Sequence, residues 1–447
     1  MTDAAPRPRS VPFEQVVESP IALWIAFVLV HLAVGALALN GPGYPLGDVA
    51  WVYKFWVEHG VVSGQWVGLE TSWVYPIVAL VPMVISYAFG PALYVSTWLS
   101  LMMLVDAAAF AVVIAFGRDR RVAHVGWWWL GLIIGLGPVA LGRIDTVTVA
   151  VAVVGLLCLG AAPRLAGALL AVAAWIKVWP AALIAAVVVA ASTRMRVLLA
   201  AAVTSAVILV VSIGLGGRFE DAFSFITQQT GRGLQIESGL GTFWMWDAFT
   251  RRPGASTIYY DTSILTYQLH GQGVQTAAAI ATPLLGLVTI GLLALAIVAV
   301  RRGATAAELL PPLALAITTA LILFNKVGSP QFVTWLAVPV IFGLSTAATG
   351  RGASFRFPGA LALVIADLTQ VIYPYLYDQL LNLNVWMLLV LTVRNLLYLV
   401  LLGWSVWSMT RLLSPVVAPH LVDESTWLPR VWPFEPERTS DSERVRP

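Results

Sequence analysis

Between Pro20 and Met409 the chain repeats apolar runs close to the length a helix needs to cross a bilayer core, about 20 residues, broken only by short polar connections and one long one. No backbone polar group can be left unpaired in hydrocarbon, so such runs fold as helices. With 59% hydrophobic and 11% charged residues, the 447-residue chain has too little charge to coat a soluble body. The expected fold is therefore all-α and polytopic, a single integral domain over 20–410 between cytoplasmic tails at 1–19 and 411–447. The run ending in Ala36-Leu37-Ala38 resembles a signal-peptide end, but the polar lead before it is long for one, and it reads as a retained first helix. Cys158 is the sole cysteine, which excludes an intrachain disulfide and a cysteine zinc cluster. The net charge of +3 reports loop sidedness rather than attraction to nucleic acid.

Arginines cluster at 118–121, 164, 194–196, 301–302, 351–356 and 411, and the positive-inside rule places those connections in the cytoplasm. About twelve crossings follow: 20–39, 92–116, 125–141, 147–161, 165–178, 180–191, 197–215, 276–300, 307–325, 331–348, 357–373 and 385–410. The run 73–89 is left over. It is expected to be interfacial or re-entrant within a first extracytoplasmic loop at 40–91; the alternative is that it crosses and one short piece near Trp179-Pro180 does not. The only lysines, Lys54, Lys177 and Lys326, then all face outward, against the usual bias. A site for an anionic head group explains that exception.

The stretch GPGYPLGDVAWVYKFW at 41–56 puts Asp48 where the first helix ends. It reads either as a general base aimed at a cavity or as a helix N-cap. Gly142-Arg143-Ile144-Asp145 offers a bidentate phosphate grip or an Arg–Asp pair closing a tight turn. Lys177, between Trp175 and Trp179, reads as a phosphate ligand or an interfacial anchor. The long loop 217–275, with Arg232, Gln235, Glu237, Trp244, Tyr259 and Tyr260, mixes rings and amides that suit a sugar or a packed cap. Asp367 and Arg394 fall at similar depths in adjacent helices and are expected to form an intramembrane ion pair, with proton coupling as the competing use.

Taken in order, these motifs resemble glycosyltransferase family 87, polytopic enzymes of the GT-C class that include actinobacterial mannosyltransferases using polyprenyl-phosphate-mannose. Asp48-Val49-Ala50-Trp51-Val52-Tyr53 is similar to the family's catalytic aspartate segment. Val74-Tyr75-Pro76 resembles its Tyr-Pro element, Gly142-Arg143-Ile144-Asp145 its Gly-Gln-x-Asn/Asp turn, and Lys177 with Pro180 its Lys-x-x-Pro. The stretches 231–238 and 329–335 resemble those of actinobacterial members. This chain has Arg143 where Gln is usual and Gln331 where some members carry His. The resemblance implies a GT-C fold and inverting, metal-independent transfer without a cofactor, from a polyprenyl-phosphate-linked sugar to a glycolipid or polysaccharide acceptor outside the plasma membrane. It implies Asp48 as the base and Lys177, Arg232, Arg143 and Lys326 on the donor phosphate, with Tyr75, Asp145, Gln235, Glu237, Trp244 and Gln331 lining the substrate. A transporter or flippase of lipid-linked sugars would use a similar outward basic cluster, but it needs a matching polar site on the other side and pseudo-symmetric helices, and the sequence shows neither.

Overall fold

The computed structural model describes residues 17–414, so most of both expected tails lies outside the described residues. Among the described residues, nine helices are long and apolar enough to cross a membrane, from Pro20–Asn40 to Val385–Leu413. Three shorter apolar helices, Asp145–Leu157, Pro163–Ile176 and Ala181–Ala190, stand where the remaining expected crossings were placed. With 10 to 14 residues each they reach only about 15–21 Å, short of the hydrocarbon thickness. The chain is an all-α multi-pass membrane protein.

Local chemistry sets the helix ends. Pro20 and Pro163 open their helices at positions that need no N–H donor. Thr305 and Glu308 form a reciprocal capping box before Ala306–Leu323. Burial separates centre from rim: 89% of the apolar window is buried for Ala306–Leu323 and for Pro330–Ala348, against 17% for Arg194–Gly214 and Val274–Arg301. The first two are apolar all round because they sit inside the bundle; the last two present apolar side chains to lipid.

Residues 73–89 hold only a 3-10 turn, Ile77–Ala79, and the short helix Leu80–Ile85, far below a spanning length. This segment is stitched to the long loop. The Ser224 hydroxyl accepts from the Trp73 N–H at 2.8 Å, Arg218 N–H donates to the Leu69 carbonyl at 3.0 Å, and the Ser72 hydroxyl donates to Asp221 at 3.1 Å.

Within the long loop the structure adds one element the helical reading did not contain, an antiparallel hairpin of β1 (Thr257–Asp261) and β2 (Thr266–His270). Its threonine, isoleucine and tyrosine residues are strand formers. Residues 231–238 lie between this hairpin and the 325–330 turn: Leu269 N–H donates to the Leu234 carbonyl at 2.9 Å and Gln235 N–H to the Lys326 carbonyl at 3.0 Å. A Cβ on Gly328 would collide with the Glu237–Ser238 backbone, so glycine permits that approach.

Candidate functional site

Asp48 opens a π-helical turn, Asp48–Tyr53, that runs directly into the helix Lys54–Ser63. The cap position is Gly47, so Asp48 is not the N-cap. Its carboxylate lies 3.3 Å from Arg143 Nε, and the two side chains are 41% and 7% exposed, respectively. The base candidate thus faces open space while its cation is buried behind it. Nε makes no aligned hydrogen bond, so charge rather than a directed bond holds the pair. The rest of the guanidinium is occupied: Nη1 donates to the Pro45 and Gly142 carbonyls, both at 3.0 Å, and Nη2 to the Tyr373 hydroxyl at 3.1 Å. Gly43, at φ +80°, lets the 41–48 loop press against Pro374, where a Cβ would meet the Pro374 carbonyl. Tyr373 sits at a kink in Val371–Tyr375, where its backbone is extended (φ −127°, ψ 128°).

Asp145 pairs elsewhere. Lys177 Nζ donates to both of its carboxylate oxygens, at 2.7 and 2.6 Å, and the Trp335 indole donates to Oδ1 at 2.6 Å. Backbone breakage places the lysine: the helix Pro163–Ile176 ends, Lys177 is extended, and Ala181–Ala190 starts after Pro180. Nζ then sits 5.8, 5.3 and 5.7 Å from the ring centres of Tyr75, Phe332 and Trp335, an aromatic surround that favours a cation.

Beside this centre lies a cavity of about 670 Å³ lined by Arg232, Lys326, Tyr259, Asp261, Gln268 and His270 among others. Arg232 Nε is buried without a hydrogen-bond partner. The pKa of Lys326 is lowered by burial and then by the like charge of Arg232. The Arg232 pKa is lowered by burial, opposed by Tyr75. Tyr75 also feels Asp48 and Asp145, so it links centre and cavity.

The structure therefore brings Asp48, Tyr75, Arg143, Asp145 and Lys177 together, with Arg232 and Lys326 adjoining. Several expectations are corrected. Arg143 and Asp145 do not pair with each other; each takes a partner from a distant segment. Both Nη groups of Arg143 are engaged by protein oxygens, and its Nε faces Asp48. Arg394 does not pair with Asp367: its Nη1 contacts Glu237 Oε2 at 2.7 Å, Nη2 donates to the Glu237 carbonyl at 2.7 Å, and Asp367 instead packs against Gly135. Glu237 is consequently the buried partner of Arg394, and burial raises its pKa while Arg394 lowers it. Gln235 Oε1 accepts from the Gly328 N–H at 3.1 Å, which ties two loops together, and the Trp244 indole donates to the Gln272 carbonyl at 2.9 Å. Gln331, half-buried, is the second residue of the 3-10 segment Pro330–Leu336 that carries Phe332 and Trp335. Sequence reasoning missed Tyr373 and Trp335 as site residues. For Tyr373 a signal existed, since Tyr373-Pro374 repeats the Tyr75-Pro76 pattern at the end of an apolar run.

The model of glycosyltransferase family 87 matches residues 73–330, more than half of the chain, and the chain belongs to that family. Tyr75, Arg143, Asp145, Lys177, Arg232 and Lys326 fall inside the match; Asp48 and Tyr373 fall outside it. No curated protein matches the chain. The chain is a membrane glycosyltransferase.

Proposed function

For this family 87 glycosyltransferase we propose inverting transfer of mannose from a polyprenyl-phosphate donor to a glycolipid or polysaccharide acceptor on the extracytoplasmic face, with Asp48 as general base. The observation that carries this reading is the half-open Asp48 carboxylate, backed by buried Arg143 and adjoining a cavity that holds Arg232 and Lys326. The acceptor hydroxyl oxygen attacks the anomeric carbon, its proton passes to Asp48, and the bond from that carbon to the phosphate oxygen breaks. The electron pair leaves with polyprenyl phosphate. Phosphate is a good leaving group, so one base and no general acid suffice.

Positive charge at the cavity stabilises the departing phosphate as its charge grows. Arg232 and Lys326 are the ligands the geometry favours, and Lys177 stands at the boundary. Its charge is balanced by Asp145, so it contributes less. Arg143 is kept for the base.

The test uses right-side-out and inverted membrane vesicles given radiolabelled polyprenyl-phosphate mannose, arabinose or glucose, with the product's anomeric configuration determined. The expected result is mannose transfer with inversion in right-side-out vesicles. Labelling only in inverted vesicles, transfer of another sugar alone, or label crossing the membrane without a new glycosidic bond would refute the reading; the last result identifies a flippase.

A further inference from the structure

The hairpin has two unlike faces. Thr257, Tyr259 and Asp261 with their cross-strand partners His270, Gln268 and Thr266 form one face, which contributes to the cationic cavity. Tyr260 and Tyr267 pair on the other face.

From that second pair a row of tyrosines runs to the base. Tyr260 and Tyr267 ring centres are 4.9 Å apart, Tyr267 and Tyr377 5.9 Å, and Tyr377 and Tyr373 5.3 Å. The Tyr373 hydroxyl then accepts from Arg143, whose Nε faces Asp48. Tyr260 is 46% exposed and within electrostatic range of Asp48; the other three rings are half-buried. The rings are neutral; at the inner end the Tyr377 hydroxyl bonds the Glu237 carboxylate and Tyr373 accepts from Arg143, so the ligand-facing end of the row is Tyr260 and Tyr267. An uncharged ligand with flat C–H faces and many hydroxyls matches such a surface: ring faces stack on it and phenol oxygens bond the hydroxyls.

We propose that the tyrosine row headed by Tyr260 and Tyr267 is the binding platform for a sugar ring of the acceptor, so that the hairpin separates a neutral glycan on one face from the donor phosphate on the other. This inference rests on the reading of Asp48 as the base, because the row acquires its direction from ending there. Tyr260 and Tyr267 act as positioning residues that present an acceptor hydroxyl to the carboxylate.

The test is binding, not turnover. Octyl α-mannoside and octyl α-arabinofuranoside are titrated against full-length Asp48→Asn protein in detergent, followed by saturation-transfer NMR, with polyprenyl phosphate affinity measured on the same samples. Tyr260→Ala is expected to weaken at least one glycoside about tenfold and to leave polyprenyl phosphate within twofold. Tyr260→Trp, which keeps a ring on a half-exposed strand, is expected to restore the glycoside signal. In the otherwise wild-type enzyme the same Tyr260→Ala change raises the glycoside KM and leaves kcat within about threefold. The proposal is overturned if neither glycoside binds the Asp48→Asn protein, if Tyr260→Ala leaves both affinities unchanged, if Tyr260→Trp fails to restore them, or if polyprenyl phosphate weakens in step. Persistent transfer by Asp48→Asn would sink the base assignment alone, since the binding measurement needs no catalysis.

Discussion

The centre around Asp48 and the cavity around Arg232 draw on the same residue types and lie side by side, yet they treat charge in opposite ways. In the centre every cation has a carboxylate: Arg143 faces Asp48 and Lys177 faces Asp145. In the cavity Arg232 and Lys326 repel one another. The one lining carboxylate, Asp261, is engaged by the Gln268 amide at 2.7 Å and by Ser263. A balanced centre is organised before any ligand arrives, which suits a base that must be aimed. A cavity in which two cations sit close enough to repel suits a place where an anion is received and its charge grows. The lesson is that counting rare cations finds the region of a site, whereas their surroundings divide its labour.

Several experiments would sharpen or break that division. Asp48→Asn removes the proton acceptor and keeps the shape, and transfer is expected to fall by about a thousandfold, within the range for loss of a general base. Arg143→Gln strips the carboxylate of its counter-charge. Its expected effect is a roughly hundredfold loss of kcat with donor affinity unchanged, measured by steady-state kinetics and polyprenyl phosphate binding. A fall in donor affinity instead would return Arg143 to the phosphate and blur the two regions. Arg232→Gln combined with Lys326→Gln is expected to raise the donor KM by about tenfold to a hundredfold, as loss of charge-assisted contacts does. The smallest effect is that of salt: the exposed part of the cavity should make the wild-type donor KM rise a few-fold between about 0.05 and 0.5 M NaCl, a dependence that the double variant flattens.

Much of this arrangement was legible in the sequence, and the failures have a common cause. Hydropathy placed the long helices, because lipid enforces length and apolarity residue by residue. The polar residues Asp48, Arg143, Asp145, Lys177, Arg232 and Lys326 stood out because ionisable groups beside membrane segments are rare. Their pairing did not follow. Arg143 and Asp145 are neighbours in the chain, but residues two apart where a helix begins do not face one another. The expected pairing of Asp367 with Arg394 used depth alone, which hydropathy suggests, and not direction around the helix axes, which it does not report. Arg394 turns toward the long loop and buries Glu237. Tyr373 and Trp335 join the site through hydrogen bonds spanning 230 and 190 residues, and no local spacing carries such information. The hairpin was written locally, in Thr257-Ile258-Tyr259-Tyr260 and Thr266-Tyr267-Gln268-Leu269, but its aromatic density reads equally as a packed cap until the strands are paired.

The most direct measurement crosses the two regions in one preparation: the single-turnover rate of sugar transfer and the equilibrium affinity for polyprenyl phosphate, each determined for Asp48→Asn and for Arg232→Gln/Lys326→Gln. The account predicts that the first variant loses about three orders of magnitude in rate and keeps its affinity within twofold, while the second loses at least about tenfold in affinity. Transfer by Asp48→Asn within tenfold of wild type, or undiminished affinity in the double variant, would contradict it.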